Sequence, residues 1–535
     1  MFYNNNKQKE RGRKMNQKRL KKLKETKEEK RMLKNKNGIT LIALVVTIVV
    51  LLILAGVSIS LILDNNGIIK KSKDARRKTV ESAQNEQDMI DKLLDDMNDT
   101  VPEWGGTTTE LPEFKLNDST NKFDWYIYNE PQMKFFANFV NQTLTEQDEK
   151  LMTDSNVTSE DIAITGETTI YLMNDLDLGA RFDENGNLTW GVKWEPIGTR
   201  GKKLLGTFEG NNHYVKGVYA NSDETFSGLF AISSTIRNLT VKNSYITGAN
   251  CVGGIVGATD TGKIENCHNI NTTVVLKENK RTAGGIVGQS SSEKVTECTN
   301  TGTIYAYGRA GKDFTQAGGI VGLTLGTKEI SNCVNKGNII TGEEAGLYTG
   351  GICGSTGADY ETTISNCRNE GEISGIAVVG GIVGLLSTKG TTEKCSNTGH
   401  INALQSTAAG IAGQMNQKNG QSNSIVRECY NSGSIEGGEE VGGIVAFFCG
   451  QSQQGTIENC YSKGTITSTN GKVGAIVGIK IQEDGNAVFR NLYYLNTIGL
   501  YAINNNQSFE SETVKAVEDD IKTYEEFLEW IKTKQ

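Results

Sequence analysis

The chain has 535 residues, enough for two or three domains, and carries 61 glycines against only 4 prolines. That ratio suits many tight turns between short strands whose ladders few prolines interrupt. Residues 1–37 hold 15 Lys and Arg against 4 Asp and Glu, and the remainder holds 41 against 59; the acidic body speaks against a nucleic-acid-binding surface.

The basic head adjoins an apolar segment, Ile39 to Leu63, of 25 residues without a charge. About 20 residues cross a bilayer as a helix, and in lipid a helix is the form that pairs every backbone group. The flanking lysines and arginines predict an N-terminus inside and a body outside. A simple signal anchor fits the segment. A secretory signal peptide cut between Ala55 and Ser60 is the alternative, although the apolar core is long for one. The stretch Gly38-Ile39-Thr40-Leu41-Ile42-Ala43-Leu44 resembles the cleavage and methylation segment of type IV prepilins. The resemblance implies a prepilin peptidase cutting between Gly38 and Ile39, methylation of the new terminus, and retention of the helix in membrane lipid beside other pilins. A start at Met15 would shorten the leader 1–38. The family usually has glutamate at the fifth mature position, where this chain has Ala43, which argues against a major-subunit role. Residues 64–100 read as a polar helix continuing outward as a stalk.

Residues 101–125, with Pro102 and Pro112, read as a linker. Met133, Phe136, Phe139 and Val140 fall at helical spacing, as expected of a helix packed on a core. The segment "TIYLMNDLDLG" alternates like a strand. Residues 126–250 therefore read as a cap and lead-in to the repeats that begin near residue 251.

From Val252 the chain repeats itself. The block "VGGIVG" recurs in related form with isoleucine at 255, 286, 320, 352, 382, 411, 444 and 476, at steps of 29 to 34 residues. A second block, roughly I-x-N-C-x-N-x-G-x-I, places Cys267, Cys298, Cys333, Cys367, Cys395, Cys429 and Cys460 in one slot. Each repeat contains short β-branched strands and no long helical pattern, and one repeat cannot bury its own apolar face, so repeats must stack. The expected fold is mainly β: a parallel β-helix, or solenoid, of about 30-residue repeats over 251–497, preceded by the transmembrane and stalk helix and closed by a helical cap at 498–535. Isoleucines would stack inside, and asparagines at 269, 300, 335, 369, 397 and 431 would form a hydrogen-bonded ladder. The repeat blocks, with the lead-in pieces "NDLDLG", "WEPIG", "GTFEGNNHYVKGVYA" and "SGLF", resemble the GLUG-motif repeats of bacterial surface proteins. That resemblance implies an extracytoplasmic body and leaves the ligand open.

The ladder cysteines read as buried free thiols, with disulfides between coils as the alternative. One cysteine per repeat is not a zinc pattern. His213, His268 and His400 form no His-Glu-x-x-His motif. Asp175 and Asp177 are the candidate carboxylate pair, with a turn or capping role favoured, and Glu265, Glu297 and Glu458 read as a solvated face. No cofactor is expected. The functional expectation is a membrane-anchored, prepilin-like surface protein that displays a β-helix for adhesion or for binding an unknown glycan or protein at the cell surface. A minor structural pilus component and a β-helical carbohydrate-active enzyme are the alternatives.

Overall fold

The computed structural model describes residues 104–535, apart from loop segments at 222–225, 278–280, 308–314, 343–346, 358–359, 376–377, 404–406, 416–423, 450–454 and 482–487 and a few single positions. The leader, the apolar segment and the stalk, with Gly38 and Ile39, lie outside the described residues. Residues 101–535 form one compact unit. No helix among the described residues is long and apolar enough to cross a membrane.

The unit begins with an antiparallel hairpin, Glu113–Asn117 against Lys122–Ile127. Its first strand falls inside the interval read as a linker. Helix α1 (Glu130–Asn141) follows, with the Asn129 side chain accepting the Gln132 N–H at its start and Pro131 in the first turn. Helix α2 (Glu146–Asp154) starts with a reciprocal cap between Thr145 and Asp148. The helical spacing seen in the sequence marks the inner face of α1. Met133 and Phe136 are fully buried, and Trp125 of the hairpin packs against Phe136 with ring centroids 5.7 Å apart. Phe136 in turn reaches Phe208, and Phe208 reaches Phe230 at 5.0 Å, so α1 covers the first coils of the solenoid.

The remainder is a parallel β-solenoid of about eight regular turns with a repeat near 31 residues. One turn illustrates the rest. Thr282–Gly284 belongs to a nine-stranded sheet. The chain then bends through Gly285 and Ile286 into Val287–Ser290, Lys294–Thr296 and Thr299–Asn300 of a 29-stranded sheet, and returns through Ile304–Ala306 in a second nine-stranded sheet. Each strand of this turn pairs in parallel with its counterpart one repeat later, as Val287 with Val321 and Ile304 with Ile339. Stacked strands of this kind lie about 4.8 Å apart along the axis. Ile255, Ile286, Ile320, Ile352, Ile382, Ile411, Ile444 and Ile476 are each fully buried. At this separation the glycine bend has no space for a side chain: a Cβ on Gly285 would sit 2.1 Å from the Gly319 carbonyl oxygen and 2.5 Å from the Asn300 amide carbon.

The solenoid ends with Val488–Leu495, which pairs with Thr456–Ser462 on one side and Val514–Val517 on the other. Helix α3 (Tyr524–Lys532) forms in the tail, capped by Thr523. Phe527 and Ile531 bury against Tyr430, Tyr461 and Tyr493, which stand on the outer flank of the last coils. The helix docks there because three successive coils present tyrosine at the outward position after the cysteine slot; the other coils carry His268, Thr299, Val334, Arg368 and Ser396 at that position.

Candidate functional site

The second repeat block builds two inner ladders and one bend. The residue before each ladder cysteine adopts a left-handed backbone: Asn266, Asn332, Asn366 and Asn459 have φ between 49° and 55°, and Glu297, Lys394 and Glu428 occupy the same slot at 54–58°. Asparagine tolerates this region better than other non-glycine residues, which explains the recurring Asn-Cys pair. The bend turns the cysteine inward. Cys267, Cys298, Cys333, Cys367, Cys395, Cys429 and Cys460 are fully buried, and all nine described cysteines are unbridged. Each ladder thiol donates to a backbone carbonyl, as Cys333 Sγ does to Ser331 O at 3.2 Å. Burial pushes the thiols of Cys298, Cys367, Cys395 and Cys460 up, and that of Cys353 up to about 12. Burial keeps these five thiols in the neutral form and shields them from reagents.

Two residues after the cysteine, buried asparagines form a continuous chain of amides. Asn300 donates to Asn335, Asn335 to Asn369 and Asn369 to Asn397, each at 2.8 Å, and Asn397 donates to Asn431 at 2.9 Å. The second amide hydrogen of each goes to the glycine carbonyl two residues on. Asn269 departs from the series and donates to Gly285 O at 2.9 Å.

Several outward charged side chains pair across successive coils. Glu393, Arg427, Glu458 and Arg490 occupy one outward column on successive coils, and Arg427 pairs with Glu393 as Arg490 does with Glu458. Glu458 is buried within this column, and Glu265 pairs with Lys294. Of the three glutamates read as a solvated face, Glu297 alone is exposed without an ion pair, at the bend. Asp177 accepts both Arg181 amines and the Gly179 N–H. Burial pushes its carboxyl up, but Arg181 and the Gly179 N–H outweigh burial and hold it below the ordinary value. Asp175 accepts the Tyr214 N–H and contacts His213 Nδ1 at 3.1 Å. The two aspartates therefore organise the turns around 179 and 214 instead of converging. His268 contacts Asn266 and is held below its ordinary pKa by burial, and His400 contacts Ser434 at 2.7 Å. The three histidines thus serve three separate places. Among the described residues no group of three His, Cys, Asp or Glu is placed to hold a metal.

A concave site opens at the N-terminal end of the solenoid. A groove of about 730 Å³ lies between α1, α2 and the segment 201–205. Phe139, Leu144, Ile164 and Leu205 give it an apolar floor, and Glu149, Lys202 and Lys203 supply charge. Lys202 is held in place by donating to Asn141 O at 2.9 Å, and Lys203 pairs with Asp260. Grooves of this size that mix apolar walls with a few polar groups are suited to binding. Neither the groove nor the tyrosine column emerged from the sequence. The groove joins residues far apart in the chain, and the column differs from the repeat consensus in only the last coils.

The sequence profile of the family described as "The GLUG motif" matches residues 248–275, which span the first glycine block and the first cysteine slot. A curated relative from Evansella cellulosilytica, "Putative Gly-rich membrane protein", is 33% identical over 101 residues, 18% of this chain and 11% of that protein. The chain thus spans about a tenth of the length of the curated relative it matches. A crystal structure from Bacteroides ovatus, described as "a putative immunoglobulin A1 protease", covers 77% of this chain and 88% of its own at 17% identity and a TM-score of 0.31. A likeness at that score carries no functional argument.

Proposed function

We propose that this chain is a surface protein held in the membrane by its N-terminal apolar segment, and that its β-solenoid body serves in adhesion or ligand binding. The observation that carries the reading is the order of segments: a basic run, 25 uncharged residues from Ile39 to Leu63, then a GLUG-containing solenoid with no further apolar span among its described helices. Processing between Gly38 and Ile39 by a prepilin peptidase belongs to the same proposal, as does association with membrane lipid and, at most in minor amounts, with other pilins. The relative's name, a Gly-rich membrane protein, agrees with the anchor. A solenoid suits the task because its rigid, repetitive flanks hold side chains at fixed spacing on a long body.

The test has two readouts on native cells. Protease added to intact cells should remove the body, and mass spectrometry of the purified protein should find Ile39 at the N-terminus. A body that resists external protease until the envelope is opened would refute surface display. An intact leader would refute the prepilin-like processing and leave a simple anchor.

A further inference from the structure

A solenoid is held together by the contacts between neighbouring coils, so an array of unequal contacts divides at its poorest one. Several deficits meet where the coil of Ile382 stacks on the coil of Ile411.

On the inner face of that contact Val379 stacks on Ala408 and Val383 on Ala412. The following coil returns to valine at both positions, with Val441 and Val445. All six side chains are fully buried. Each alanine lacks the two methyl groups of the valines on either side, so the core gives up packing at two places in one coil. Thr392 occupies a third inner position, between Ile364 and Val426. Its hydroxyl is buried and makes no hydrogen bond. Water would satisfy that group if the contact opened, so its burial favours opening. At the left-handed slot the two coils carry Lys394 and Glu428, both at φ +54°, whereas Asn366 and Asn459 fill it on the coils to either side. Neither lysine nor glutamate accepts that backbone as readily as asparagine.

What remains across the contact is largely polar. Asn397 donates to Asn431 at 2.9 Å, and Arg427 pairs with Glu393. The ion pair is partly exposed, and such pairs contribute little. The preceding contact is better made. Thr349 also has an orphan hydroxyl, but Val379 faces it and Asn366 holds the slot of its coil.

Beyond the contact, α3 ties the coils to one another. The Tyr524 hydroxyl donates to Glu428 O at 3.3 Å and the Tyr430 hydroxyl to Ile521 O at 2.9 Å. Phe527 lies on both Tyr430 and Tyr461. The coil of Ile411 is therefore fastened forward by the tail helix and poorly packed behind.

We infer that the solenoid is jointed between the coils of Ile382 and Ile411. The block from Ala408 through α3 opens as one unit while the coils from Ile255 to Ile382 stay folded. The joint lets the far end of the body give way without loosening the coils beside α1. It is a property of the fold alone and stands whether or not the body is displayed at a surface.

Hydrogen exchange of the detergent-solubilised full chain, followed by mass spectrometry in urea below the unfolding transition, tests it. Peptides between 408 and 517 should exchange together and ahead of those containing Ile286, Ile320 and Ile352, with the step falling between Val383 and Ala412. The double substitution Thr392→Val and Glu428→Asn removes the orphan hydroxyl and the strained backbone at the contact. It should slow exchange across 408–517 about tenfold, equivalent to about 1.4 kcal/mol. The matching pair Thr349→Val and Glu297→Asn makes the same two repairs on the other side of the joint and should leave exchange across 408–517 unchanged. Exchange along the whole solenoid as a single unit, or a step at another coil, overturns the inference. A step in the expected place that the first pair does not slow, or that both pairs slow equally, overturns its assignment to this contact.

Discussion

The Asn335 amide donates to the Asn369 carbonyl oxygen at 2.8 Å, one coil further along the axis, and neither side chain reaches solvent. Asn335, Asn369 and Asn397 each donate to the next coil and accept from the one before, so none of the three can be removed without stranding both neighbours.

Asn369→Ala would leave one Asn335 N–H and one Asn397 oxygen lone pair without their ladder partners. Each buried orphan costs about 1–3 kcal/mol, so a loss of roughly 2–5 kcal/mol is expected for the pair. Asn269→Ala should cost less, because Asn269 bonds to Gly285 O and not to the next asparagine. Urea unfolding of the 104–535 body would show the midpoint falling further for the first substitution. Equal midpoints would mean that the ladder contributes no more than any single buried amide.

Lys394 holds φ at +54° in the slot that asparagine fills on other coils, and its side chain is exposed. Left-handed backbone costs an ordinary L-residue about 1–2 kcal/mol, a cost asparagine partly escapes. Lys394→Asn should therefore raise the melting temperature, and Asn366→Lys should lower it, by an equivalent of up to about 1 kcal/mol each. Shifts of the opposite sign would show that side-chain contacts, not backbone conformation, decide this slot.

These two predictions mark what the sequence makes legible. A solenoid writes its register into the chain because equivalent positions stack. The recurring isoleucine, cysteine and second asparagine therefore disclose the core ladders, the period and the parallel pairing. The first asparagine is visible too, but its backbone role is not, since Glu297, Lys394 and Glu428 share the slot and resemble it in no side-chain property. Glu458 reads as solvated from its charge alone; only the column placing Arg490 on the next coil explains its burial. The groove beside α2 is illegible for a different reason: Leu144, Ile164 and Leu205 belong to the non-repeating cap, where no period relates them.

The thiols give a pH-dependent expectation. Burial raises Cys353 from an ordinary thiol value to about 12, so the folded state favours the protonated form. Its contribution to stability is complete below the unfolded pKa near 8.5 and declines as pH rises toward 12. The body should accordingly lose stability between about pH 8.5 and 12, and Cys353→Ala should flatten part of that slope. Iodoacetamide at pH 8 should modify the ladder cysteines slowly in the native body and fast after denaturation without reductant. Fast native labelling would contradict their burial, and absent labelling after denaturation would reveal bridges.

The last expectation concerns α3, which fastens three coils at once. The Tyr430 hydroxyl donates to Ile521 O at 2.9 Å and the Tyr461 hydroxyl to Asp519 O at 2.8 Å, while Phe527 lies on both rings and Trp530 meets Tyr461 and Tyr493. Phe527 is fully buried, so Phe527→Asp places an unpaired charge in the contact and should detach the helix. In a solenoid each coil is stabilised chiefly by its neighbours, so the loss should spread only locally. Hydrogen exchange in the variant should accelerate across the coils bearing Tyr430, Tyr461 and Tyr493 and remain at parental rates around Ile286 and Ile320. Tyr430, which burial raises to about 12, should titrate closer to 10 once the helix leaves. Acceleration along the whole solenoid would mean that it unfolds as one cooperative unit held from its C-terminal end. Unchanged exchange and titration would mean that α3 rests on the tyrosines without securing them.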